Sequence, residues 1–235
     1  MRAQSAGALQ PRLRCAVSMI ENEHGLIDVG TNHGRLCAYL LSEGWTGKLI
    51  ASDVSAPSLD RARERLQKLG MEDKVDLRVG DGLQVLSPCE VQTAVICGMG
   101  SNTIVDILSA APREITEKLS LILQPQGSKA PLRKFLQQNG WKITKEKLVK
   151  DAGRFYVVLR AERGEMPAFD EEWAEIGEKL VLDHDPLLAD YIEWNLRVWK
   201  KAYAAAQKGA PDENGEKLAR LIARGEEVLQ WLNRN

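Results

Sequence analysis

Between residues 27 and 34 the chain reads Ile-Asp-Val-Gly-Thr-Asn-His-Gly, an apolar strand end that runs into a turn of small or turn-tolerant residues. Such a turn lets a nucleotide-like ligand come close to the backbone. Gly30 and Gly34 take the first and third glycine slots of an Asp-x-Gly-x-Gly-x-Gly pattern, and Asn32 takes the middle one. Asparagine is the commonest non-glycine visitor to left-handed backbone, so the turn still forms. Alone, the run fits a bare strand-to-helix turn equally well. Asp53 tips the balance: it ends a second apolar run about 20 residues beyond the loop, where a carboxylate accepts both hydroxyls of a ribose. Asp81, in Gly-Asp-Gly-Leu at 80–83, follows a third run where an adenine amino group would lie, although an Asp-Gly turn would also explain it. Together Asp28, Asp53 and Asp81 stand at the carboxyl ends of three successive strands, the edge along which open α/β sheets bind ligands.

Two further strand ends carry polar or flexible groups. Ile-Cys-Gly-Met-Gly at 96–100 requires a bend, and Leu-Gln-Pro-Gln at 123–126 offers Gln124 and Gln126, joined by Asn102 from the next helix. These amides either orient a substrate or stand solvated in loops. His33 is either a ligand contact or a structural loop histidine.

The elements that must position these residues follow from apolar periodicity. A leading helix is predicted over Leu9 to Glu23, and strands over Leu26–Val29, Lys48–Ser52, Val75–Val79, Thr93–Cys97 and Leu119–Leu123. Helices alternate with them at 35–42, 55–70, 101–110 and 131–139. Such alternation implies a parallel sheet covered on both faces. Trp141–Val149 and Arg154–Ala161 are then joined directly by Asp-Ala-Gly, a link short enough to force an antiparallel pair. That ending sets the sheet apart from the all-parallel one of dinucleotide-binding domains. After residue 163 only helical patterns remain. Leu188, Tyr191, Asn195, Val198, Ala202 and Ala205 line one predicted face, and Leu218, Leu221, Gly225, Val228 and Leu232 another. A polar link from Gln207 to Gly215 separates them, predicting a coiled-coil hairpin whose seam closes within a monomer or across a homodimer. Trp173, Trp194, Trp199 and Trp231 are expected mainly to pack these helices rather than to stack on bases.

Composition narrows the class of molecule. Cys15, Cys37, Cys89 and Cys97 form no CxxC pair and three histidines accompany them, so neither a metal site nor a disulfide framework is expected. Arg2, Arg12 and Arg14 precede no apolar stretch of signal-peptide length, and no run approaches the roughly 18 apolar residues of a membrane span. A cytoplasmic protein with no membrane attachment is the expectation. A formal net charge of -1 argues against nonspecific coating of nucleic acid, while local basic faces can still meet phosphates.

The segments IDVGTNHG, SDVS, GDGL, ICGMGS, LILQPQ and GRFYVVL together resemble the bacterial tRNA (adenine-22, N1)-methyltransferase family. The likeness extends from about Arg12 to Arg163, and the helical hairpin beyond also matches that family. It implies an α/β fold: a Rossmann-like class I methyltransferase sheet, parallel with an antiparallel terminal hairpin, over residues 1–163, and a C-terminal helical coiled-coil domain over 164–235. It implies S-adenosylmethionine as cofactor, held by Asp28, Gly30, His33, Asp53, Val54, Asp81, Gly82 and Cys97. Asn32, Gly98, Met99 and Gln126 would surround the target base of a tRNA. The family usually has Asp where this chain has Asn32, Gly where it has Ser101 and Asn where it has Gln126. A carboxylate near the transferred methyl is thus an amide here, which keeps open a relative that binds cofactor or tRNA without transfer. The glycine loop with Asp53 alone also allows an NAD-dependent oxidoreductase. Lys145, Lys147, Lys150, Arg154, Lys200, Lys201, Arg220 and Arg224 are the candidate phosphate contacts.

Overall fold

A computed structural model describes residues 7–21, 24–207 and 213–234. Strand β1 (Gly25–Val29) is buried along its whole length, as a strand covered on both faces must be. With β2 (Lys48–Asp53), β3 (Asp76–Val79), β4 (Thr93–Gly100), β5 (Ser120–Gln126), β6 (Trp141–Asp151) and β7 (Arg154–Arg163) it forms one sheet in the order β3-β2-β1-β4-β5-β7-β6. The first five strands run parallel, and β7 inserts antiparallel between β5 and β6. The expected hairpin is therefore present, and its turn is tighter than the three-residue link suggested. Asp151 pairs with Arg154, leaving Ala152 (φ 47) and Gly153 (φ 75) both left-handed, the backbone of a two-residue type I′ turn.

Strand order reverses between β1 and β4. The chain builds β2 and β3 on one side of β1 and everything later on the other, so the loop after β1 opens into a crevice at the switch point. Side-chain alternation along β1 then decides which face each residue serves. Ile27 and Val29 join the core beneath α4 (Ser101–Ala110) and α6 (Ala130–Gln138), with Ile104 and Leu132. Leu26 joins the opposite core, with Leu36 of α2 (Arg35–Ser42), Leu66 of α3 (Ala56–Lys68) and Ala16 of α1 (Pro11–Val17). Asp28 has the parity of Leu26, which aims its carboxyl toward α1 and α2.

The leading helix is shorter than its pattern. Pro11 occupies its first turn, a position that suits proline. After Val17 the chain turns so that Met19 is buried and its carbonyl accepts a 2.8 Å hydrogen bond from Arg160. Residues 22 and 23, at the end of the predicted helix, lie outside the described residues, as do 208–212 in the polar link between the last two helices. α5 (Arg113–Thr116), a single turn before β5, was not predicted.

Beyond β7 lie α7 (Glu171–Ile176), α8 (Glu178–Leu182), α9 (Leu188–Ala206) and α10 (Glu213–Leu232). α9 and α10 pack on each other within the one chain; a Cβ on Gly225 would stand 3.1 Å from Leu196 and 3.3 Å from Trp199. The buried stripe of α9 differs from the predicted one. Ile192, Leu196 and Trp199 join Leu188, Tyr191 and Asn195, whereas Val198 is 46% exposed and Ala202 and Ala205 face solvent. α9 must cover both α10 and the hairpin, whose Leu148 and Val157 share its core. The stripe turns toward the larger side chains because they remove more apolar area from water. The tryptophans pack: Trp194 against Phe155, Trp173 beneath the Arg224 guanidinium and Trp231 against His184. Among the described residues no helix is long and apolar enough to cross a membrane.

Candidate active site

Two clefts meet at Gly30 on the carboxyl edge of the sheet. The first, of about 630 Å³, is lined by Gly30, Asn32, Ser52, Asp53, Val54, Asp81 and Gly82, among others. The second, of about 410 Å³, is lined by Arg12, Asp28, Gly30, Asn32, His33, Cys97 and Gly98, among others. Met99 lines both, and its thioether methyl lies where a side chain on Gly30 would begin. The φ of 72 suits position 30 to glycine, and a Cβ there would push the Met99 methyl aside.

The loop after β1 is pinned to β2. Gly30 and Thr31 both donate to the Ser52 carbonyl, at 2.8 and 3.0 Å. Asn32 adopts φ 51, the left-handed geometry that its residue type predicts. Its backbone N–H donates to Asp53 Oδ2 at 3.3 Å, and the Ser55 N–H donates to Asp53 Oδ1 at 2.9 Å. Each carboxylate oxygen thus accepts one backbone bond, which fixes the plane of the group and leaves further lone pairs toward the cleft. Beside it the Ser52 hydroxyl is buried with no hydrogen-bond partner among the described residues, in a side chain that lines the cleft. Asp81 is exposed at the far wall, and the following Gly82 is left-handed at φ 55, with Ile107 only 2.7 Å from where a Cβ would stand.

The second cleft carries opposite charges. Asp28 is buried and accepts a 2.6 Å hydrogen bond from Thr31 Oγ1. Burial nevertheless pushes its carboxyl up to about 6, with nearby Asp53 adding to the rise. Arg12 reaches in from α1; its Nη1 donates to Gln124 Oε1 at 2.7 Å and its Nε to Gln10 Oε1 at 3.1 Å. Gln124 is itself fully buried and spends its amide N–H on the Pro125 carbonyl at 2.9 Å, so its oxygen is aimed at Arg12. The guanidinium consequently stands over Gly98 (φ 83), where the ladder between β4 and β5 shifts register. Burial pushes the Cys97 thiol well up, which removes it as a nucleophile. His33 is pushed down by burial and by Arg35, Arg61 and Arg65, which favours its neutral ring.

The structure brings Asp28, Gly30, Asn32, His33, Asp53, Val54, Asp81, Gly82, Cys97, Gly98 and Met99 into one or both clefts. Gln126 and Asn102 are exposed and line neither. Gln126 pairs with Gly100 past the register shift, one step beyond the cleft that Gln124 serves. Ser101 instead anchors the start of α4 through a hydrogen bond to the Ser128 carbonyl. Arg12, Ser52 and Arg61 were missed. Arg61 Nη2 donates to Asn32 Oδ1 at 3.1 Å and to Ser58 Oγ at 2.9 Å; on an exposed helix face such a residue reads as solvated. Among the described residues no group of three or more His, Cys, Asp or Glu could hold a metal ion.

Residues 9–159 match the family model of a methyltransferase domain. Over 160 residues the chain is 30% identical to the tRNA (adenine(22)-N(1))-methyltransferase of Bacillus subtilis (strain 168), spanning 68% of this chain and 67% of that one. The crystal structure of the B. subtilis m1A22 tRNA methyltransferase superposes with a TM-score of 0.82 at 26% identity, covering 94% of this chain and 99% of that one. A Streptococcus pneumoniae protein described as a putative tRNA (m1A22) methyltransferase, solved in complex with S-adenosyl-L-methionine, also gives 0.82 at 26% identity, covering 94% of this chain and 100% of that one.

Proposed function

Because the chain belongs to the tRNA (adenine(22)-N1)-methyltransferase family, we propose that it transfers a methyl group from S-adenosylmethionine to N1 of an adenine in tRNA. The observation that carries this reading is the double cleft: Asp53, Asp81 and the orphaned Ser52 hydroxyl share one compartment, a buried carboxyl and a guanidinium share the other, and Gly30 joins them. The sheet with its antiparallel β7 also departs from the all-parallel order of dinucleotide-binding domains.

When bound, S-adenosylmethionine supplies a sulfonium methyl group within reach of a nucleophilic nitrogen. Asp53 would hold the ribose hydroxyls and Asp81 the adenine amino group. Asp28 would hold the α-ammonium and Arg12 the α-carboxylate, so that each end of the amino-acid moiety meets the opposite charge. Met99 and Gly98 would shape the meeting point of the two clefts. Asn32 need not remove a proton, because adenine N1 carries a free lone pair at neutral pH; Arg61 occupies its amide oxygen and leaves the NH₂ to orient a base. Positioning and exclusion of water are the remaining tasks of the pocket. A paired or stacked adenine must be turned out to reach it. A tRNA substrate and no membrane-crossing helix among the described residues fit a cytoplasmic protein, and the seam closed inside one chain fits a monomer. We place the boundary between the methyltransferase domain and the helical appendage at residue 163, where β7 ends.

The direct test is nucleoside mass spectrometry of tRNA incubated with the chain and isotope-labelled cofactor. Label in N1-methyladenosine is expected. Saturable cofactor binding with no label in any tRNA nucleoside would leave a binding protein in place of an enzyme.

Asp28 gives a second, pH-dependent test. Its carboxyl titrates near 6 in the folded chain, and only the ionised form attracts an ammonium. Affinity for S-adenosylhomocysteine is therefore expected to rise with pH, by at most about tenfold per unit, and to level off above about 6. 5′-Methylthioadenosine, which has the adenosyl part but no amino-acid moiety and hence no α-ammonium, should bind with a flat profile, and parallel profiles in calorimetric titrations would remove Asp28 from the site. The same elevation favours the folded state in acid, a contribution that fades as pH rises from about 4 to about 6.

A further inference from the structure

We propose that Arg35, Arg61 and Arg65 form a phosphate-binding rim beside the double cleft, along which the RNA strand flanking the target base lies. The inference rests on the tRNA reading above and specifies its docking face. Arg35 opens α2 and lines the second cleft, while Arg61 lines the first. Arg65 follows Arg61 by one helical turn and shares its face of α3. All three crowd His33 closely enough to oppose its protonation.

Among the described residues this cluster combines the lack of an ion pair with a place on the clefts, whereas Lys147, Arg154 and Lys201, also without an ion pair, line neither cleft. Most cations expected from the sequence to meet RNA are matched by acids instead. Lys145 pairs with Glu21, Lys150 with Asp190, Lys200 with Glu226, Arg220 with Glu172, and Arg224 with Asp170 and Glu227. On α3 itself Arg63 pairs with Asp60 at 2.7 Å. Among the described residues Arg35, Arg61 and Arg65 form no ion pair, and the Arg65 Nε is buried with no hydrogen-bond partner. Like charges one turn apart destabilise a helix, so the arrangement is costly in the free chain and relieved by an anion. Because Arg35 and Arg61 each line a cleft, an anion on the rim lies beside the pocket that must receive the base. A nucleic-acid backbone meets both demands with successive phosphates.

Fluorescence anisotropy of a labelled, unmodified tRNA transcript, titrated with the full chain at several salt concentrations, tests the rim. For the Arg35→Gln/Arg65→Gln variant the expected outcome is binding weaker by about tenfold or more, with the log–log salt slope shallower by roughly 1.5, since each phosphate contact on a single strand contributes about 0.7. The Lys200→Gln/Arg220→Gln variant of the appendage should match the wild type. A thermal unfolding transition matching the wild type separates a lost RNA contact from a misfolded chain, and Arg65→Gln alone, which lines neither cleft, repeats the test with one contact removed and S-adenosylhomocysteine affinity unchanged. An unchanged slope and affinity in the rim variants, or a loss confined to the appendage variant, overturns the proposal. A wild-type chain that binds S-adenosylhomocysteine but no tRNA overturns the tRNA reading along with it.

Discussion

Asp53→Ala is expected to weaken S-adenosylhomocysteine binding by roughly a hundredfold or more. Hydrogen bonds to a charged group contribute about 1.5–3 kcal/mol each, and two ribose hydroxyls would lose their acceptor at about tenfold per 1.4 kcal/mol. The substitution also strips the backbone N–H groups of Asn32 and Ser55 of their acceptor, loosening the turn that presents Gly30. 5′-Methylthioadenosine keeps the ribose, so its affinity should fall in parallel. Asp28→Asn, by contrast, should weaken S-adenosylhomocysteine and leave methylthioadenosine nearly unchanged. Asp53→Asn retains one acceptor oxygen and is expected to lie between wild type and alanine. Calorimetric affinities for Asp53→Ala within threefold of wild type for both ligands would mean that the cleft does not hold an adenosyl group through this carboxylate.

Much of this arrangement is legible in the sequence because it is written in local patterns. β1 is a short apolar run that stops at a glycine, Asn32 is of the type that tolerates left-handed backbone, and Asp-Ala-Gly can join only antiparallel strands. The remaining features depend on partners distant in the chain. Gln124 and Gln126 have the same strand parity, so alternation cannot separate them; the register shift opposite Gly98 does, by leaving Gln124 buried against Cys97 and carrying Gln126 past the cleft. Arg12 and Arg61 read as solvated helix charges until the strand and the loop they reach, at Gln124 and Asn32, are placed beside them. On α9 the periodicity marks a helix correctly, but which stripe is buried depends on the hairpin it must also cover. The three- and four-residue steps through Val198 and through Ile192, Leu196 and Trp199 are equally helical, and only the second set shares the core with Leu148 and Val157.

Arg133 is the extreme case of that dependence, and replacing it by methionine is expected to lower the unfolding free energy by about 3–5 kcal/mol. It sits on α6 with no exposed surface, its Nε donating to Glu146 at 2.9 Å and its Nη1 to the carbonyls of Ala174 and Glu175 at 2.8 and 2.9 Å. Those carbonyls belong to the last turn of α7, where the helix dipole favours a cation. Glu175 completes the junction from the other side, accepting from the backbone N–H groups of Lys129 and Ala130 at 3.2 Å. One guanidinium therefore ties α6, β6 and α7 together, and it holds the appended helices to the sheet. Burial by itself would favour its neutral form; Glu146, Tyr191 and Glu175 together outweigh that and favour the charged form. Arg133→Met leaves the Glu146 carboxyl buried without its partner and strands the two carbonyls. Removing both charges, in Arg133→Met/Glu146→Leu, leaves only the carbonyls unmet, so the double variant should recover a large part of the loss despite lacking twice as many groups. Urea unfolding followed by tryptophan fluorescence measures all three chains. A single variant less than about 1 kcal/mol below wild type, or a double variant no more stable than Arg133→Met alone, would show that the pair does not clamp the appendage to the sheet.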